Sequence, residues 1–551
     1  VPPPIRIVAL GGLGEVGMNC TVLECEGRLA VVDCGILFPN EPIGVDLIAP
    51  DIGWLIERRE QVGAIFLTHG HEDHVGALPL LLAEVKAPVY GTRFTLAMVR
   101  RRLEEAGIDA DLRKVVPGDV RDAGEGSPFV AEWIAVTHSI PDACALALST
   151  PQGTILHTGD FKLDPTPVAG PIPDLARIEA LGRKGVRLLL SDSTNAEKRG
   201  RSRSESEVGP ALAEAFETSR GRVVVACFAS NVHRIQQIVD VARAEGRRVA
   251  LLGRSMETNG GIAREFGILG LAPWQPVGFP EARELPPREL CVITTGTQGE
   301  PRSALARLSR GEHPDLRIGP GDLVILSSRS IPGNEVATGQ VVNDLLRLGV
   351  DVLYDGVRVH ASGHAHEEEL RELIRLVKPE RFVPIHGEYR QLHRHAAHAA
   401  AEGLSPDRVH LLLNGQALEL SDDGARVLPQ RIPTGHVYVD RDNLGAGEVG
   451  ALVVRDRRLL AEAGLVIAVL AVEKASGAAV RGPELFAVGV AGFEGAEAEI
   501  RGEALRAFEE LTPAARGATE EAQEALRLAI RRWFRRETGK RPTVLPIVLE
   551  L

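Results

Sequence analysis

Three histidines and an aspartate fall within six residues in the run Thr68-His69-Gly70-His71-Glu72-Asp73-His74. Neutral imidazoles with one carboxylate suit a borderline divalent ion such as zinc, or manganese where more oxygen joins the shell. A polar helix start with Asp73 as its cap would need one such residue and gain nothing from three histidines. The run follows the apolar stretch Val62 to Leu67 and precedes Val75, Leu78, Leu81, Leu82 and Val85 at helical spacing, so it is expected at a strand-to-helix turn. There His69 and His71, two apart in extended chain, can face one ion. Asp73 and His74, entering the helix, are displaced toward a second.

Four side chains cannot fill two coordination shells, so more ligands are expected downstream. His138 follows the strand-like Trp133 to Thr137, and Asp160 ends the run Thr154 to Asp160. Each is polar and closes an apolar run, where a sheet protein collects its site. Gly12-Leu13-Gly14-Glu15-Val16-Gly17 imitates a dinucleotide-binding fingerprint, with Asp33 at about the expected spacing. That reading needs a helix next. Cys20 to Glu24 and Leu29 to Val32 are instead short β-type runs around Glu26-Gly27, which reads as a hairpin.

The order HxHxDH, lone histidine (His138), Thr-Gly-Asp aspartate (Asp160) resembles the metallo-β-lactamase superfamily. Asp33 matches the early aspartate that supports the histidine loop there without being a ligand. Simple hydrolases of this kind place a last metal-binding histidine soon after the aspartate. Here the next convincing candidate, His386 in Pro384-Ile385-His386-Gly387-Glu388, lies a whole domain further on. That interruption resembles the β-CASP nucleases, in which a second α/β domain splits the lactamase core. Their remaining motifs match Asp192 after Leu188 to Ser191, His364 in His360-Ala361-Ser362-Gly363-His364, and His386. A histidine at the last position accompanies RNA processing in that family, where DNA-processing members typically carry valine. Gly11 to Gly17, Ser191 to Ala196 and Pro384 to Arg390 resemble the bacterial ribonuclease J family, over essentially the whole chain and more loosely in the linker and C-terminal region.

The resemblance implies an α/β fold, a metallo-β-lactamase αββα sandwich core interrupted by an inserted α/β β-CASP domain, plus a small α+β C-terminal domain. The expected division is 1–207 and 356–420 for the two parts of the core and 208–355 for the insert. Strand-like Arg222 to Cys227, Val249 to Leu252, Cys291 to Thr294 and Leu323 to Leu326 alternate there with helical stretches, as a parallel sheet requires. A linker is expected over 421–462, with Pro429, Pro433 and the Gly-rich Asp442 to Gly450. Residues 463–551 read strand, strand, helix, helix, strand, an oligomerisation domain.

The implied ligand set is His69, His71 and His138 for one ion, Asp73, His74 and His386 for the other, and Asp160 between them. Two divalent ions, zinc or manganese, about 3.5–4 Å apart would activate a shared water and neutralise charge growing on a phosphate. His364 would give a proton to the leaving oxygen. Asp73 and Asp192 complete the catalytic group, with Asp192 orienting a ligand through a hydrogen bond. Ser230, Asn231 and His233, with His360, Ala361, Ser362, Gly363 and His364, would cradle a 5′-monophosphate of single-stranded RNA. The competing assignment has Ser230 and Asn231 capping the next helix. Such an enzyme would be a 5′-to-3′ exonuclease with endonuclease activity beside it, leaving a 5′-phosphate and a 3′-hydroxyl, in rRNA maturation and mRNA decay. The resemblance also hints at a structural calcium held by Gly44, Asp46 and Asp440. His393, His395 and His398 read as a solvated helix face, and His157 as core or a support behind the site.

Composition bounds the rest. The 551 residues are 44% apolar and 25% charged, too many for one core. No run of eighteen apolar residues and no charged-then-apolar leader occurs, so a cytoplasmic protein without membrane contact is expected. Six cysteines without a CxxC pair read as reduced core residues. A net charge of -12 requires that phosphate-binding surface be local. Lys198, Arg199, Arg201 and Arg203, and Arg302, Arg307 and Arg310, are the candidates. Aromatics at 4% favour sequence-tolerant backbone recognition over base stacking. The expected partners are a second copy, as homodimer or homotetramer, and an RNA-degradation complex. Three alternatives stand beside this reading. A DNA-directed β-CASP nuclease is the nearest. A small-molecule metallo-hydrolase does not explain a domain inserted ahead of His386. A non-catalytic RNA-binding scaffold predicts broken ligand positions, and all seven are intact.

Overall fold

In the computed structural model, residues 2–39, 44–124, 126–267, 275–329, 334–354, 356–440, 448–474 and 476–551 are described. Strands Cys20–Cys25 and Arg28–Val32 pair antiparallel around Glu26 and Gly27, whose φ angles are both positive, 48° and 72°. That combination belongs to a type I′ turn, whose twist matches the strands it joins. A hairpin therefore follows the glycine run, and the dinucleotide reading fails for want of a helix.

The chain divides into two compact units, Val1–Asn40 with Leu47–Gly447, and Glu41–Asp46 with Glu448–Leu551. In the first, the hairpin belongs to an eight-stranded sheet in the order Gly424–Arg431, Gln416–Ser421, Ile5–Gly11, Cys20–Cys25, Arg28–Val32, Val62–Phe66, Val89–Gly91, Leu112–Lys114. A six-stranded sheet runs Phe382–Ile385, Val186–Asp192, Gly153–His157, Cys144–Thr150, Val130–Ala135, Val120–Asp122. Alternation along a central strand sorts side chains to two layers. Ile7 and Ala9 join Phe66, Trp133, Leu146 and Leu188 between the sheets. Val8 and Leu10 instead join Leu78, Leu81 and Leu82 of helix Leu78–Glu84 and Val99 of helix Arg93–Glu105 on the outer side. Helices Leu175–Lys184 and Glu367–Val377 cover the second sheet through Ile178, Leu181, Leu370 and Leu373. The core is an αββα sandwich.

The insert carries a five-stranded parallel sheet in the order Arg248–Leu252, Leu290–Thr294, Val223–Ala226, Leu323–Leu326, Asp351–Leu353. Its last strand escapes the sequence reading because it is three residues long and not fully buried. Arg234, fully buried, ties the insert to the core. Its guanidinium donates to Glu205 Oε1 and Oε2 at 2.6 and 2.9 Å, and to the carbonyls of Ser327 and Val359 at 2.9 and 2.8 Å. The chain then re-enters the second sheet, where Phe382–Ile385 lies parallel to Val186–Asp192.

The stretch expected as a linker is largely structured. Gly424–Arg431 is the outermost strand of the eight-stranded sheet, an edge that accepts Pro429, and His436–Val439 pairs with Leu47–Pro50. Helix Ala451–Ala463 belongs to the second unit. Residues 441–447 of the Gly-rich stretch lie outside the described residues.

In the second unit, Leu465–Val472 pairs antiparallel with Ala479–Val488 and parallel with Thr543–Glu550. Helices Glu497–Glu509 and Thr519–Glu537 cover one face, packing Ile500, Phe508, Leu526 and Phe534 on Val466, Ala468 and Leu470. The other face is apolar and open: Ile467 stands in register with Phe486 and Leu545, which are 59% and 50% exposed. Among the described residues no helix is long and apolar enough to cross a membrane. All six cysteines are free and buried.

Candidate metal centre

Asp33 builds the histidine loop. Its carboxylate accepts from Thr68 N at 2.9 Å, Thr68 Oγ1 at 2.7 Å and His74 Nδ1 at 2.8 Å, so one buried group ties the end of strand Val62–Phe66 to the helix Glu72–Val75. Asp160, Asp192 and His386 come from the ends of three adjacent parallel strands, Gly153–His157, Val186–Asp192 and Phe382–Ile385. The two sheets thus deliver their polar residues to one edge of the sandwich.

Four of the five rings have one nitrogen committed elsewhere. His69 Nδ1 meets Thr68 Oγ1 at 3.0 Å, His138 Nδ1 donates to the Gly363 carbonyl at 2.7 Å, and His386 Nδ1 donates to Asn19 Oδ1 at 2.8 Å. With His74 Nδ1 on Asp33, all four turn Nε2 inward, an arrangement that fixes tautomer and direction together. His71 turns Nδ1 inward, 3.2 Å from His69 Nε2 and 3.0 Å from His138 Nε2. Atoms held tetrahedrally about 2.0–2.1 Å from zinc lie about 3.3 Å apart, so these spacings fit an ion. Asp160 reaches both sides. Its Oδ2 lies 3.7 Å from His69 Nε2, 3.7 Å from His138 Nε2 and 3.4 Å from His386 Nε2, while Oδ1 lies 3.2 Å from His74 Nε2. Asp73 Oδ2 stands 3.8 Å from His74 Nε2 and 3.7 Å from His386 Nε2.

All seven expected ligands therefore meet in two groups that share Asp160, His69-His71-His138-Asp160 and Asp73-His74-Asp160-His386, each with its ligand atoms within 4.8 Å. Among the described residues His386 Nε2 is buried with no hydrogen-bond partner, and Asp160 Oδ1 has none of good geometry although His74 Nε2 lies 3.2 Å away. Orphaned groups of this kind are costly, and a cation at the centre would satisfy both. Burial pushes His69 and His138 well below the usual imidazole range and His71 down to about 4, so these rings are neutral, as ligands must be. Burial also opposes a charge on His74, but the Asp160 and Asp73 carboxylates outweigh it and hold this ring well above its ordinary value. A cation held there would take the place of that proton.

His386 has a left-handed backbone, φ 52°, unusual outside glycine. It is held by donation from its N–H to the Gly12 carbonyl at 3.0 Å, while its own carbonyl accepts from Ser193 N and Thr194 Oγ1, both at 3.3 Å. Beside it, His364 Nδ1 donates to Asp192 Oδ2 at 2.8 Å. Asp192 thus orients the expected acid and not a ligand. Burial opposes the charge on His364, but the Asp192 carboxylate outweighs it and raises the ring to about 9.

The expected phosphate cradle is mixed. Ser362 Oγ accepts from Asn195 Nδ2 at 2.7 Å, and Gly363 gives its carbonyl to His138. Ala229 and Ala361, one beside each half of the expected cradle, both belong to the buried core of the inserted sheet. Asn231 Oδ1, however, caps helix Val232–Ala244 by accepting from Arg234 N at 3.1 Å, the competing assignment for that residue. His233 and His360 are both lowered by burial, His360 further by Arg234, Arg329 and Lys198. Burial and Arg329 bring Lys198 down to about 8. Of the other expected basic residues, Arg201 pairs with Glu372 at 2.5 Å, Arg203 with Glu207 at 3.1 Å and Arg310 with Glu312 at 2.8 Å.

Several expectations change. His395 and His398 are buried, not solvated, because helix Tyr389–Ala401 turns that face onto the loop after Asp192. His395 Nδ1 meets Ser193 Oγ at 3.0 Å, and His398 Nε2 donates to the Ala196 carbonyl at 2.8 Å. His393 alone of the three is exposed. At the expected calcium residues the Gly44 carbonyl accepts from Arg457 at 2.7 Å, and the neighbouring residues 40–43 and 441–447 lie outside the described residues. Asn19 was missed. Its one signal is its place two residues after the glycine run.

Residues 13–189 match the metallo-beta-lactamase superfamily, and residues 349–411 the Zn-dependent metallo-hydrolase RNA specificity domain. Residues 220–345 match the beta-CASP domain of ribonuclease J, and residues 452–551 its C-terminal domain. Over 561 residues the chain is 41% identical to Ribonuclease J of Mycolicibacterium smegmatis, covering 100% of this chain and 99% of that protein. The chain belongs to the ribonuclease J family. As a member it is a metal-dependent nuclease, a hydrolase. Ribonuclease J2 of Bacillus subtilis is 36% identical over 99% of each chain, and Ribonuclease J of Thermus thermophilus 39% identical over 99% of this chain and 95% of that one. A solved structure of a protein of unknown function from Enterococcus faecalis shares the fold, with TM-score 0.52 and 17% identity over 77% of this chain and 100% of that one.

Proposed function

We propose that this member of the ribonuclease J family hydrolyses single-stranded RNA from a 5′-monophosphate end, 5′ to 3′, and also cuts internally, in RNA maturation and mRNA decay in the cytoplasm. The observation that carries the reading is the pair of ligand groups sharing Asp160, with His364 against Asp192 at their edge. His69, His71 and His138 would hold one ion, Asp73, His74 and His386 the other, and Asp160 both. Divalent ions held there, zinc or manganese, would supply a nucleophile at neutral pH and offset charge growing on the phosphate.

The chain's own residues do the rest. His364, its Nδ1 fixed on Asp192, presents Nε2 as proton donor to the departing 3′-oxygen, leaving a 3′-hydroxyl on one product and a 5′-phosphate on the other. Ser362, Gly363, Ser230, His233 and His360 form the terminal-phosphate cradle, with Asn231 fixing the helix behind it. Lys198 and Arg329 act electrostatically on His360 and on each other, two cations that favour an anion between them. They give a chain of net charge -12 the local positive surface that phosphate binding needs. The open apolar face of the C-terminal sheet favours pairing with a second copy, as homodimer or homotetramer.

The test is degradation of matched RNA and DNA strands bearing a 5′-monophosphate, triphosphate or hydroxyl, in wild type and in Ser362→Ala. RNA with a monophosphate is expected to be degraded fastest, and the preference to fall in the variant. Equal cleavage of DNA would return the DNA-directed reading, and equal rates on all three ends would remove the cradle.

A further inference from the structure

The glycine run Gly11 to Gly17 binds no dinucleotide, and its structure points to a different use. Leu13 and Gly14 pair in parallel with Gly387 and Glu388, and the Gly12 carbonyl accepts from His386 N at 3.0 Å. The run is thus the dock for the segment that brings His386 back to the core after the insert. Two residues beyond it stands Asn19. The Asn19 carboxamide nitrogen donates to the Asp73 carbonyl at 3.0 Å and lies 3.1 Å from His74 Nε2, and its oxygen accepts from His386 Nδ1 at 2.8 Å. One side chain therefore touches the backbone of Asp73 and the rings of His74 and His386, all three members of the second ligand group apart from Asp160. Glycine is required for this approach. A Cβ on Gly12 would lie 2.5 Å from Asn19 Oδ1, at a backbone φ of 91°.

We propose that Asn19 is the positioning residue of the Asp73-His74-His386 site, and that the glycine run exists to admit its side chain. The inference rests on the ligand assignment proposed above. Accepting from Nδ1 fixes the proton on that nitrogen and leaves His386 Nε2 bare toward Asp73 and Asp160. Without the acceptor, the ring is free to carry its proton on Nε2, where it cannot ligate. A carboxamide suits the position because it supplies donor and acceptor together. Aspartate keeps only the acceptor, and leucine of similar size keeps neither.

Metal-stripped wild type, Asn19→Leu, Asn19→Asp, His386→Ala and the double variant Asn19→Leu/His386→Ala are titrated with Mn2+, with stoichiometry and affinity read by calorimetry. Wild type is expected to take up two ions per chain. Asn19→Leu keeps one at full affinity and binds the other about 10–100-fold more weakly, the usual range for such supporting partners. Asn19→Asp, with its acceptor intact, falls between the two. In the His386→Ala background Asn19→Leu has little further effect, since both lesions act on one site. Two ions at wild-type affinity in Asn19→Leu, or full additivity with His386→Ala, would overturn the proposal. Should Asn19→Leu fail to fold, Gly12→Ala displaces the same carboxamide from behind, and an unaltered second ion there would equally overturn it. A wild type that takes up a single ion would remove the ligand assignment itself, and the proposal with it.

Discussion

Asp192 Oδ2 holds His364 Nδ1 at 2.8 Å, joining the end of a core strand to the loop that follows the inserted domain. The other carboxylate oxygen accepts from Thr194 N at 2.9 Å and Thr194 Oγ1 at 2.8 Å, so the carboxylate cannot turn away. His364→Ala is expected to lower single-turnover cleavage by about 10²–10⁴, the usual worth of a general acid. Asp192→Asn should lower the same step by less. RNA affinity, read by filter binding, should survive both. A loss of affinity with unchanged cleavage would contradict the assignment.

Arg234 and Glu205 form a buried pair at the joint between insert and core. Arg234→Ala leaves Glu205 charged and unpaired in the interior, which is expected to cost about 3–5 kcal/mol. Removing both partners should cost less than removing Arg234 alone. Thermal unfolding of the single and double variants checks this, and a double variant less stable than Arg234→Ala would contradict it.

His395 supplies a pH dependence away from the metal centre. Burial, aided by His398, pushes its pKa from 6.5 to about 3. As pH falls below about 6.5, the unfolded chain takes up a proton that the folded chain refuses. The stability carried by the neutral ring is thus present in full above that value and is lost toward pH 3, by about 1.4 kcal/mol per pH unit. His395→Gln is expected to reduce the pH slope of urea unfolding between about pH 5 and pH 6 by roughly one proton. An unchanged slope would contradict the buried neutral ring.

The C-terminal sheet leaves Phe486 and Leu545 open on either side of Ile467. If that face pairs with a second copy, Phe486→Asp and deletion of residues 463–551 should each lower the mass seen by light scattering. An unchanged mass in both would leave the face without that role.

Much of the site was legible because it is local. His69, His71, Asp73 and His74 stand within one turn, and His138 and Asp160 close apolar runs that had to be strands. What stayed hidden depends on long-range closure. Asp192 and His364 meet only because the insert returns the chain beside Val186–Asp192, and Asn19 meets His386 for the same reason. Spacing put His395 and His398 on one helix face but could not say which face turns inward. In the fold, the hairpin at Glu26-Gly27 announced itself through its turn residues. The strand Asp351–Leu353 is too short to show a period, and Pro429 hid the edge strand Gly424–Arg431 inside an apparent linker.

We expect cleavage to depend on ions held by the groups around Asp160. The most direct test is the cleavage of a 5′-monophosphorylated RNA by chelator-treated, metal-free protein before and after addition of Mn2+ or Zn2+, with His74→Ala assayed beside it. No cleavage is expected without an ion, with recovery on addition and a His74→Ala protein that still binds RNA but does not cut it; full cleavage by the metal-free protein would overturn the metal assignment.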